Sequence, residues 1–324
     1  MKKLLSLLLT LTLLLACTSA LVGCYTPDET VTMHIGVMSG PTGMGMAKMM
    51  SDHKAEDDTA YVFDVYTDPT VAISDLASGE LDAVCLPTNT AAAQANAQED
   101  YVSVLAVNCL GSLYLMSNSN ETIDSLSDLQ GKTIYVSVPG STTKPILEYL
   151  LAQADVQATI EVEVDHPTLV SRMADNAQDP VDILVLPEPY VSKALTQYPS
   201  YTVDLNLSTE WSELSTYDLA MGCLVVRNDF LKENDSTVQA MLKEYRASIE
   251  YIADPENLDE AAAIIVEQGI LGAVPLAKSA LTNLSGSLVY RDGDDMKATL
   301  ISFYDAISFK KPTDDFYYAG IKEN

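Results

Sequence analysis

From residue 31 onward, short apolar runs alternate with segments of helical periodicity. Residues 31–38 and 61–66 have the pattern of β-strands, and residues 44–54, 69–78 and 88–98 have the pattern of helices. Strands and helices that alternate at this spacing favour mostly parallel sheets with helices on both faces. The sequence therefore predicts the α/β class.

The same order of elements restarts near residue 125, and one short motif occurs in both halves. Asp82-Ala-Val-Cys-Leu-Pro87 and Asp182-Ile-Leu-Val-Leu-Pro187 share the pattern D-x-x-x-L-P, and an amphipathic helix follows each. Chance is one explanation, since buried strands that end in proline are common. The matching order of the flanking elements instead favours two similar lobes, each with a mostly parallel sheet. Further helices are predicted over 236–253 and 258–268.

The N-terminus has the features of an export signal. Lys2 and Lys3 form a basic start, and residues 4–16 are an apolar core too short for a comfortable membrane span. The sequence Leu-Val-Gly-Cys that ends at Cys24 resembles a bacterial lipobox; the alternative is an ordinary signal peptide with a chance cysteine. We expect a lipoprotein signal peptide at 1–23 and a tether at 24–30. Lipidated Cys24 would anchor the protein on the extracytoplasmic face of the cell membrane.

The chain is strongly acidic, with 46 Asp and Glu against 18 Lys and Arg and a formal net charge of −28. Removal of residues 1–23, which include two lysines, makes the charge −30. Nucleic acid is not an expected partner, because phosphate binding needs clustered Lys and Arg. A simpler role for this charge is solubility and repulsion from neighbouring surfaces.

Cys17 lies in the predicted signal peptide and Cys24 is the predicted lipidation site, so three other cysteines remain. Cys85, Cys109 and Cys223 lie in or beside apolar, strand-like runs and lack C-x-x-C spacing, so we expect no metal site. Most cysteines in such runs are small buried hydrophobes. A Cys109–Cys223 disulfide stays open, because an exported protein permits one.

The stretch VMSGPTGMGMAKMM, residues 37–50, raises the question of a phosphate-binding loop. Gly40 and Gly45 have the P-loop spacing, but Met46 stands where a lysine is needed, and the pattern G-x-G-x-x-G fails at Lys48. Neither nucleotide motif fits, and no cofactor is expected. A strand, a flexible turn and a helix start remain, whose free N–H groups would face a ligand.

Polar loops follow the predicted strands of both lobes. Ligands of open parallel sheets bind beyond the carboxyl ends of the strands, where such loops meet helix starts. Glycine, hydroxyl and amide groups dominate here, which suits a small polar ligand in a cleft between the lobes. The candidate ligand contacts are Gly40, Thr42, Gly43, Met44, Thr88, Asn89, Gly111, Ser141, Thr142, His166, Glu188 and Trp211.

Several candidates have a structural alternative. Thr42 would cap a helix, and Asn89 would be a turn residue. Glu188, between two prolines at a strand end, either suits the dipole of the next helix or faces the cleft and accepts from an amine, amidine or ring N–H. Trp211 is either a core anchor or a lid that stacks on a flat ligand.

The chain resembles the substrate-binding lipoproteins of bacterial ABC importers, in the branch of nitrate, sulfonate and taurine binders and of thiamine-precursor binders. The resemblance covers nearly the whole mature chain. Its segments are, in order, GPTGMGMAKMM, SGELDAVCLPTNTAA, LGSLYLMSN, SLSDLQGKTIYVSVPGS, ILVLPEPYVSKAL, STEWSEL and DDFYY. It implies the periplasmic-binding-protein type II fold, with 31–112 and 223–324 in lobe 1 and 113–222 in lobe 2. Strands 114–117 and 224–226 would form the hinge.

The resemblance implies a monomer that captures a small molecule and delivers it to ABC permease and ATPase subunits. The ligand is left open between a sulfonate- or nitrate-like anion, held by helix N-termini, and a thiamine-precursor-like amine, which Glu188 and Trp211 favour. A sensing subunit for a membrane receptor or kinase is an alternative, because it also needs a closing cleft. A pyrimidine-synthase-like enzyme is disfavoured, because His34, His53 and His166 lie beside no recognisable nucleophile pattern.

Overall fold

The computed structural model describes residues 31–55, 59–138 and 140–322. The predicted signal peptide, Cys24 and the tether lie outside the described residues. Within them, two β-sheets are flanked by helices. The strands are β1 Met33–Met38, β2 Tyr61–Tyr66, β3 Ala83–Pro87, β4 Val102–Leu110, β5 Leu113–Asn118, β6 Thr133–Ser137, β7 Thr159–Glu163, β8 Ile183–Pro187, β9 Tyr201–Asn206, β10 Ala220–Arg227 and β11 Leu288–Arg291.

The helices follow the strands in the order that the sequence predicts. They are α1 Pro41–Met44, α2 Ala47–Asp52, α3 Pro69–Ser78, α4 Thr88–Ala97, α5 Thr143–Gln153, α6 His166–Ser171, α7 Tyr190–Gln197, α8 Leu207–Leu214, α9 Asn228–Ala253, α10 Leu258–Glu267, α11 Val274–Asn283 and α12 Gly293–Ala306. None of the helices in the described ranges has the length and apolar character needed to cross a membrane.

Both sheets are mixed rather than mostly parallel as predicted, because reversed strands pair with their neighbours in antiparallel fashion. The first sheet has the order β11-β4-β10-β3-β1-β2, in which β10 and β11 run against the other strands. The second has the order β7-β6-β8-β5-β9, in which β5 is reversed. The predicted α/β class with two sheet-and-helix lobes is confirmed. We call the first sheet with its helices lobe 1 and the second sheet with its helices lobe 2.

The chain crosses between the sheets just before the reversed strands β5 and β10. The two crossing segments lie side by side, because the Gly111 backbone N–H donates to the carbonyl of Leu219 at 2.7 Å. The sequence placed the hinge in strands 114–117 and 224–226. These strands instead lie inside β5 and β10, each within one sheet, so the connecting loops before them join the lobes.

The two copies of the D-x-x-x-L-P motif occupy matching places in the two sheets. β3 lies between β1 and reversed β10, and β8 lies between β6 and reversed β5. Both strands are buried up to the proline that ends them. The repeat therefore marks equivalent central strands, which explains why apolar residues fill both: a central parallel strand is covered on both faces.

The glycine-rich stretch differs in one respect from its prediction. The helix expected over 44–54 is two short helices, α1 and α2, and Gly40 rather than Thr42 precedes the first one, with φ of 95°. A Cβ on Gly43 would lie 1.9 Å from the Met38 carbonyl oxygen, and one on Gly45 would lie 2.6 Å from Ile249. These two glycines therefore serve close packing of the α1 region against β1 and α9.

The helix predicted over 236–253 is part of α9, and the residues that its periodicity places on one face lie in the core. These are Val238, Leu242, Tyr245 and Ile249 of α9, all at most 1 % exposed. The three described cysteines are buried free thiols, so the Cys109–Cys223 disulfide does not form here. Burial raises the pKa of Cys85 and Cys109 to about 12.

Candidate functional site

A cleft with a cavity of about 540 Å³ lies between the carboxyl ends of the parallel strands of the two sheets. Loops and helix starts of both lobes form its walls, in the place that the strand-end rule predicts. The lining residues are Ser39, Pro41, Thr42, Thr67, Pro69, Pro87, Asn89, Thr90, Ser112, Leu113, Val138, Gly140, Ser141, Thr142, Thr143, His166, Pro187, Glu188, Pro189, Tyr190 and Met221.

Half of the predicted contacts line this cleft. They are Thr42, Asn89, Ser141, Thr142, His166 and Glu188. Gly40 and Gly111 border the cleft region without lining it. A Cβ on Gly40 would lie 3.6 Å from the Pro189 ring of the other lobe, and one on Gly111 would overlap the Ser208 hydroxyl. Gly111 thus permits close approach of the chain, whereas Gly40 has φ of 95°, a backbone conformation that favours glycine.

Gly43, Met44 and Thr88 are buried away from the cleft, so the structure does not support them as ligand contacts. Gly43 and Met44 face the core because α1 lies flat on the first sheet. The Thr88 hydroxyl donates to the Ala220 carbonyl at 2.8 Å, so it fastens α4 to β10. The strand-end rule located the right loops but could not tell which side chain of each loop turns outward.

Trp211 is a core anchor, and the alternative of a lid over the ligand is wrong. Its side chain is 0 % exposed. Its ring packs against Tyr149 and Phe303 at centroid distances of 4.8 and 5.8 Å. The indole N–H donates to the Tyr217 carbonyl at 2.9 Å. The polar residues around Trp211 in sequence face outward from α8, which buries its apolar side.

The two walls of the cleft touch each other. The Asn89 side-chain amide donates to the Gly140 carbonyl at 3.3 Å. The Thr142 hydroxyl lies 3.9 Å from the Met221 sulfur. Because each contact joins lobe 1 to lobe 2, the structure has the lobes closed over the cavity.

Hydroxyl groups dominate the lining of the cleft, and the charge among its described lining residues is negative. Glu188 is the acidic side chain among the described lining residues, and neither lysine nor arginine occurs among them. Hydroxyls come from both walls and donate or accept as a ligand requires. The side chains therefore offer a bound anion no cationic partner.

His166, at the start of α6, is a neutral group in the cleft wall. Its Nδ1 lies 2.6 Å from the Ser137 hydroxyl, and its ring contacts the Tyr190 ring at 4.6 Å. Burial lowers the pKa of His166 to about 4, although nearby Asp165 acts in the opposite direction. At neutral pH the imidazole is thus an uncharged hydrogen-bonding group.

Glu188 is almost fully buried, with 2 % exposure. Burial raises the pKa of its carboxyl group, and hydrogen bonds from Asn283 and Ser192 oppose that change. Oε1 accepts from the Asn283 side-chain amide at 2.5 Å and from the Ser192 hydroxyl at 3.1 Å. Oε2 accepts a long bond, 3.4 Å, from the Ser192 backbone N–H in the first turn of α7. The carboxylate therefore supports the helix start and lines the cleft at once.

Some lining residues were not predicted. Ser39 and Thr67 directly follow β1 and β2, so the strand-end rule applied to every strand would have found them. Tyr190 begins α7 in the predicted helix after Pro187. Asn283, which contacts Glu188 but is not among the lining residues, carried no such signal, because it ends a helix 95 residues beyond Glu188. No group of histidine, cysteine or acidic residues within the described part of the chain is arranged to hold a metal ion.

Comparison with known proteins decides the family. The sequence profile described as NMT1/THI5 like matches residues 53–258, well over half of the chain. The chain belongs to the NMT1/THI5 like family. A search of curated protein sequences gives no significant match.

Solved structures share the fold of this NMT1/THI5 like protein. An ABC transporter structure from Parabacteroides distasonis has a TM-score of 0.72 at 18 % identity, over 89 % of this chain and 98 % of that one. The periplasmic aliphatic sulphonate binding protein of Escherichia coli has 0.69 at 18 %, over 92 % and 94 %. The periplasmic nitrate-binding protein of Synechocystis has 0.55 at 15 %, over 75 % and 68 %.

The sequence resemblance is confirmed at the level of family and fold. The structural neighbours reported above are described as transporter and binding proteins, and this NMT1/THI5 like protein shares their fold. Identities below 20 % establish the shared fold but do not identify the ligand. The ligand class is therefore inferred from the side chains of this chain's own cleft.

Proposed function

We propose that the protein is the extracytoplasmic solute-binding component of an ABC importer. A small polar molecule binds between the lobes, the closed form docks on the permease, and ATP-driven opening releases the molecule inward. Family, fold and the cleft between the strand ends support this role. Lipidation of Cys24 would hold the monomeric protein at the membrane, as the N-terminal sequence suggests.

The solute is uncharged or positively charged and carries N–H donors. The observation on which this rests is a nearly buried carboxylate, Glu188, in a cleft whose described lining has no lysine or arginine. An anion beside that carboxylate would add like charge in a poorly solvated place, where repulsion is strong and hydration is lost. An amine, an amidine or a ring N–H would instead donate to the carboxylate.

An anionic solute is the competing choice, because one observation favours it. Ser141, Thr142 and Thr143 line the cleft at the start of α5, an eleven-residue helix. Backbone N–H groups at such a helix start bind sulfonate or nitrate without cationic side chains. Glu188 favours the uncharged or cationic solute instead, since an anion at this helix start would still share one cavity with a buried carboxylate.

A thermal-shift screen of the purified protein separates these choices. The panel is 4-aminopyrimidine, its oxygen analogue 4-hydroxypyrimidine, putrescine, methanesulfonate and nitrate. A bound ligand raises the melting temperature in proportion to the logarithm of its concentration. We expect an amine-bearing member to raise it and methanesulfonate and nitrate to leave it unchanged. A melting temperature raised by nitrate or methanesulfonate alone contradicts the proposed ligand class. A melting temperature that no member raises contradicts the proposed binding of a solute of these chemical classes.

A further inference from the structure

Asn283 connects the two lobes beside Glu188. It ends α11, which packs on α10, and α10 packs on α2 of lobe 1. Its side-chain amide nevertheless donates to Glu188 of lobe 2 at 2.5 Å. Its backbone carbonyl accepts from the Tyr114 hydroxyl of β5, also in lobe 2, at 2.6 Å. Asn283 is thus a lobe 1 residue bound on two sides by lobe 2.

The surroundings of Glu188 give Asn283 a specific task. The groups that face the carboxylate are Ser192 on α7, Asn283 on α11 and Tyr114 on β5. Burial and the nearby Glu188 charge raise the pKa of Tyr114, so this phenol stays neutral. His166, whose ring packs on Tyr190 of the same lobe, is neutral as well. Among the described residues, only neutral hydrogen-bond donors therefore stabilise the Glu188 carboxylate.

The hydrogen bond from Asn283 is the shortest of those that the Glu188 carboxylate accepts. The Ser192 hydroxyl bonds the same oxygen at 3.1 Å, and it also shares a hydrogen bond of 2.8 Å with the Ser279 hydroxyl of α11. A hydrogen bond to a charged acceptor contributes more than one between neutral groups. Loss of the Asn283 amide would leave Oε1 with one shared hydroxyl in a buried place.

We propose that Asn283 is a positioning residue of the cleft, which orients the Glu188 carboxylate toward the solute and stabilises its ionised form. Because Asn283 belongs to lobe 1 and Glu188 to lobe 2, this support exists only while the lobes are together. Closure of the lobes would then complete the set of hydrogen bonds to Glu188, the charged acceptor of the site. The inference rests on the proposed function in one respect, that Glu188 contacts the solute.

The test is a titration of the glutamate side-chain carboxyl carbons by ¹³C NMR in the purified protein. The Glu188 resonance is assigned by its absence in Glu188→Gln. We expect Asn283→Ala to raise the pKa of Glu188, because a donor to the ionised form is lost. Asn283→Asp should raise it further, since two adjacent carboxylates share a proton. The matched control is Thr282→Ala, whose hydroxyl bonds only its own helix, at the Lys278 carbonyl, and which should leave the pKa unchanged.

An unchanged pKa of Glu188 in Asn283→Ala, or a shift of equal size in Thr282→Ala, would overturn the positioning role. If Asn283→Ala does not fold, Asn283→Ser decides the same point, because it removes the amide donor while keeping a small polar side chain and should likewise raise the pKa of Glu188. Titration with 4-aminopyrimidine by calorimetry is the second readout, and Asn283→Ala should bind it at least tenfold more weakly. If no panel member binds the wild type, the proposed solute role has failed, whereas the NMR result still decides the Asn283–Glu188 link.

Discussion

The Asn89 side chain donates a hydrogen bond to the Gly140 carbonyl across the mouth of the cleft, at 3.3 Å. The bond joins α4 of lobe 1 to the loop before α5 of lobe 2. It is long and exposed, so its contribution to closure is small. A bound solute that contacts both walls would supply the rest of the free energy of closing, as a shift between open and closed populations requires.

Asn89→Ala tests this closing contact. We expect solute affinity to fall about two- to fivefold, the effect of losing a hydrogen bond worth up to about 1 kcal/mol. Asn96→Ala is the control, because Asn96 lies on the same helix and bonds the Lys310 carbonyl on the outside of the lobe. Isothermal titration of both variants with the solute found by thermal shift measures the difference. Equal affinities in the two variants would remove Asn89 from the closing contact.

Trp211→Ala should destabilise the fold without changing which solute binds. Truncation of a fully buried aromatic side chain typically costs about 3–5 kcal/mol, and here the indole bond to Tyr217 is lost as well. Urea unfolding followed by far-UV circular dichroism measures the change. Trp211→Phe keeps most of the packing and should lose less stability. A Trp211→Ala protein of wild-type stability but altered solute preference would restore the lid interpretation.

Gly43→Ala tests whether the glycine-rich stretch serves packing. The new Cβ would lie 1.9 Å from the Met38 carbonyl oxygen, so α1 must move away from β1. We expect a loss of about 2–3 kcal/mol, in the range of overpacked cores. Gly272→Ala is the matched control, because no atom lies within 4 Å of its Cβ position and its φ is not positive. It should change stability by less than about 1 kcal/mol. Similar losses in both variants would mean that the close contact at Gly43 is unimportant.

The low pKa of His166 predicts a pH dependence of stability. The folded-state pKa of about 4 is below the ordinary value of 6.5, so the unfolded chain takes up the proton first as pH falls. Stability from the neutral imidazole is complete above pH 6.5 and is lost between pH 6.5 and 4. The wild type should lose roughly 3 kcal/mol more than His166→Gln over this interval. Urea unfolding at several pH values measures the difference, and parallel curves for the two proteins would contradict a buried neutral His166.

Much of the fold follows from local patterns in the sequence. Strand 61–66 and helix 69–78 were predicted with the bounds that the structure shows. Their apolar periodicity and the Asp68-Pro69 start leave little choice. The D-x-x-x-L-P repeat also marked two equivalent central strands. Residues 44–54 were harder, because the close approach of α1 to β1 at Gly43 is a tertiary contact that periodicity does not contain.

The site was predictable at the level of loops. Thr42, Asn89 and Ser141 line the cleft because strand ends of parallel sheets point to one edge. Whether a given loop residue turns outward depends on packing, which is why Thr88 bonds β10 while its neighbour Asn89 faces the cleft. Asn283 could not be predicted at all, since its contact with Glu188 depends on how α11 packs between the lobes.

Native mass spectrometry tests the central claim most directly. The purified protein and its Glu188→Gln variant are incubated with an extract of small metabolites, and the mass of any retained molecule is measured. We expect the wild type to retain one uncharged or cationic molecule with an amine, amidine or ring N–H, and the variant to lose it, as expected for a bond worth about 1–3 kcal/mol. Retention of a sulfonate, nitrate or other anion by both proteins alike would contradict the account.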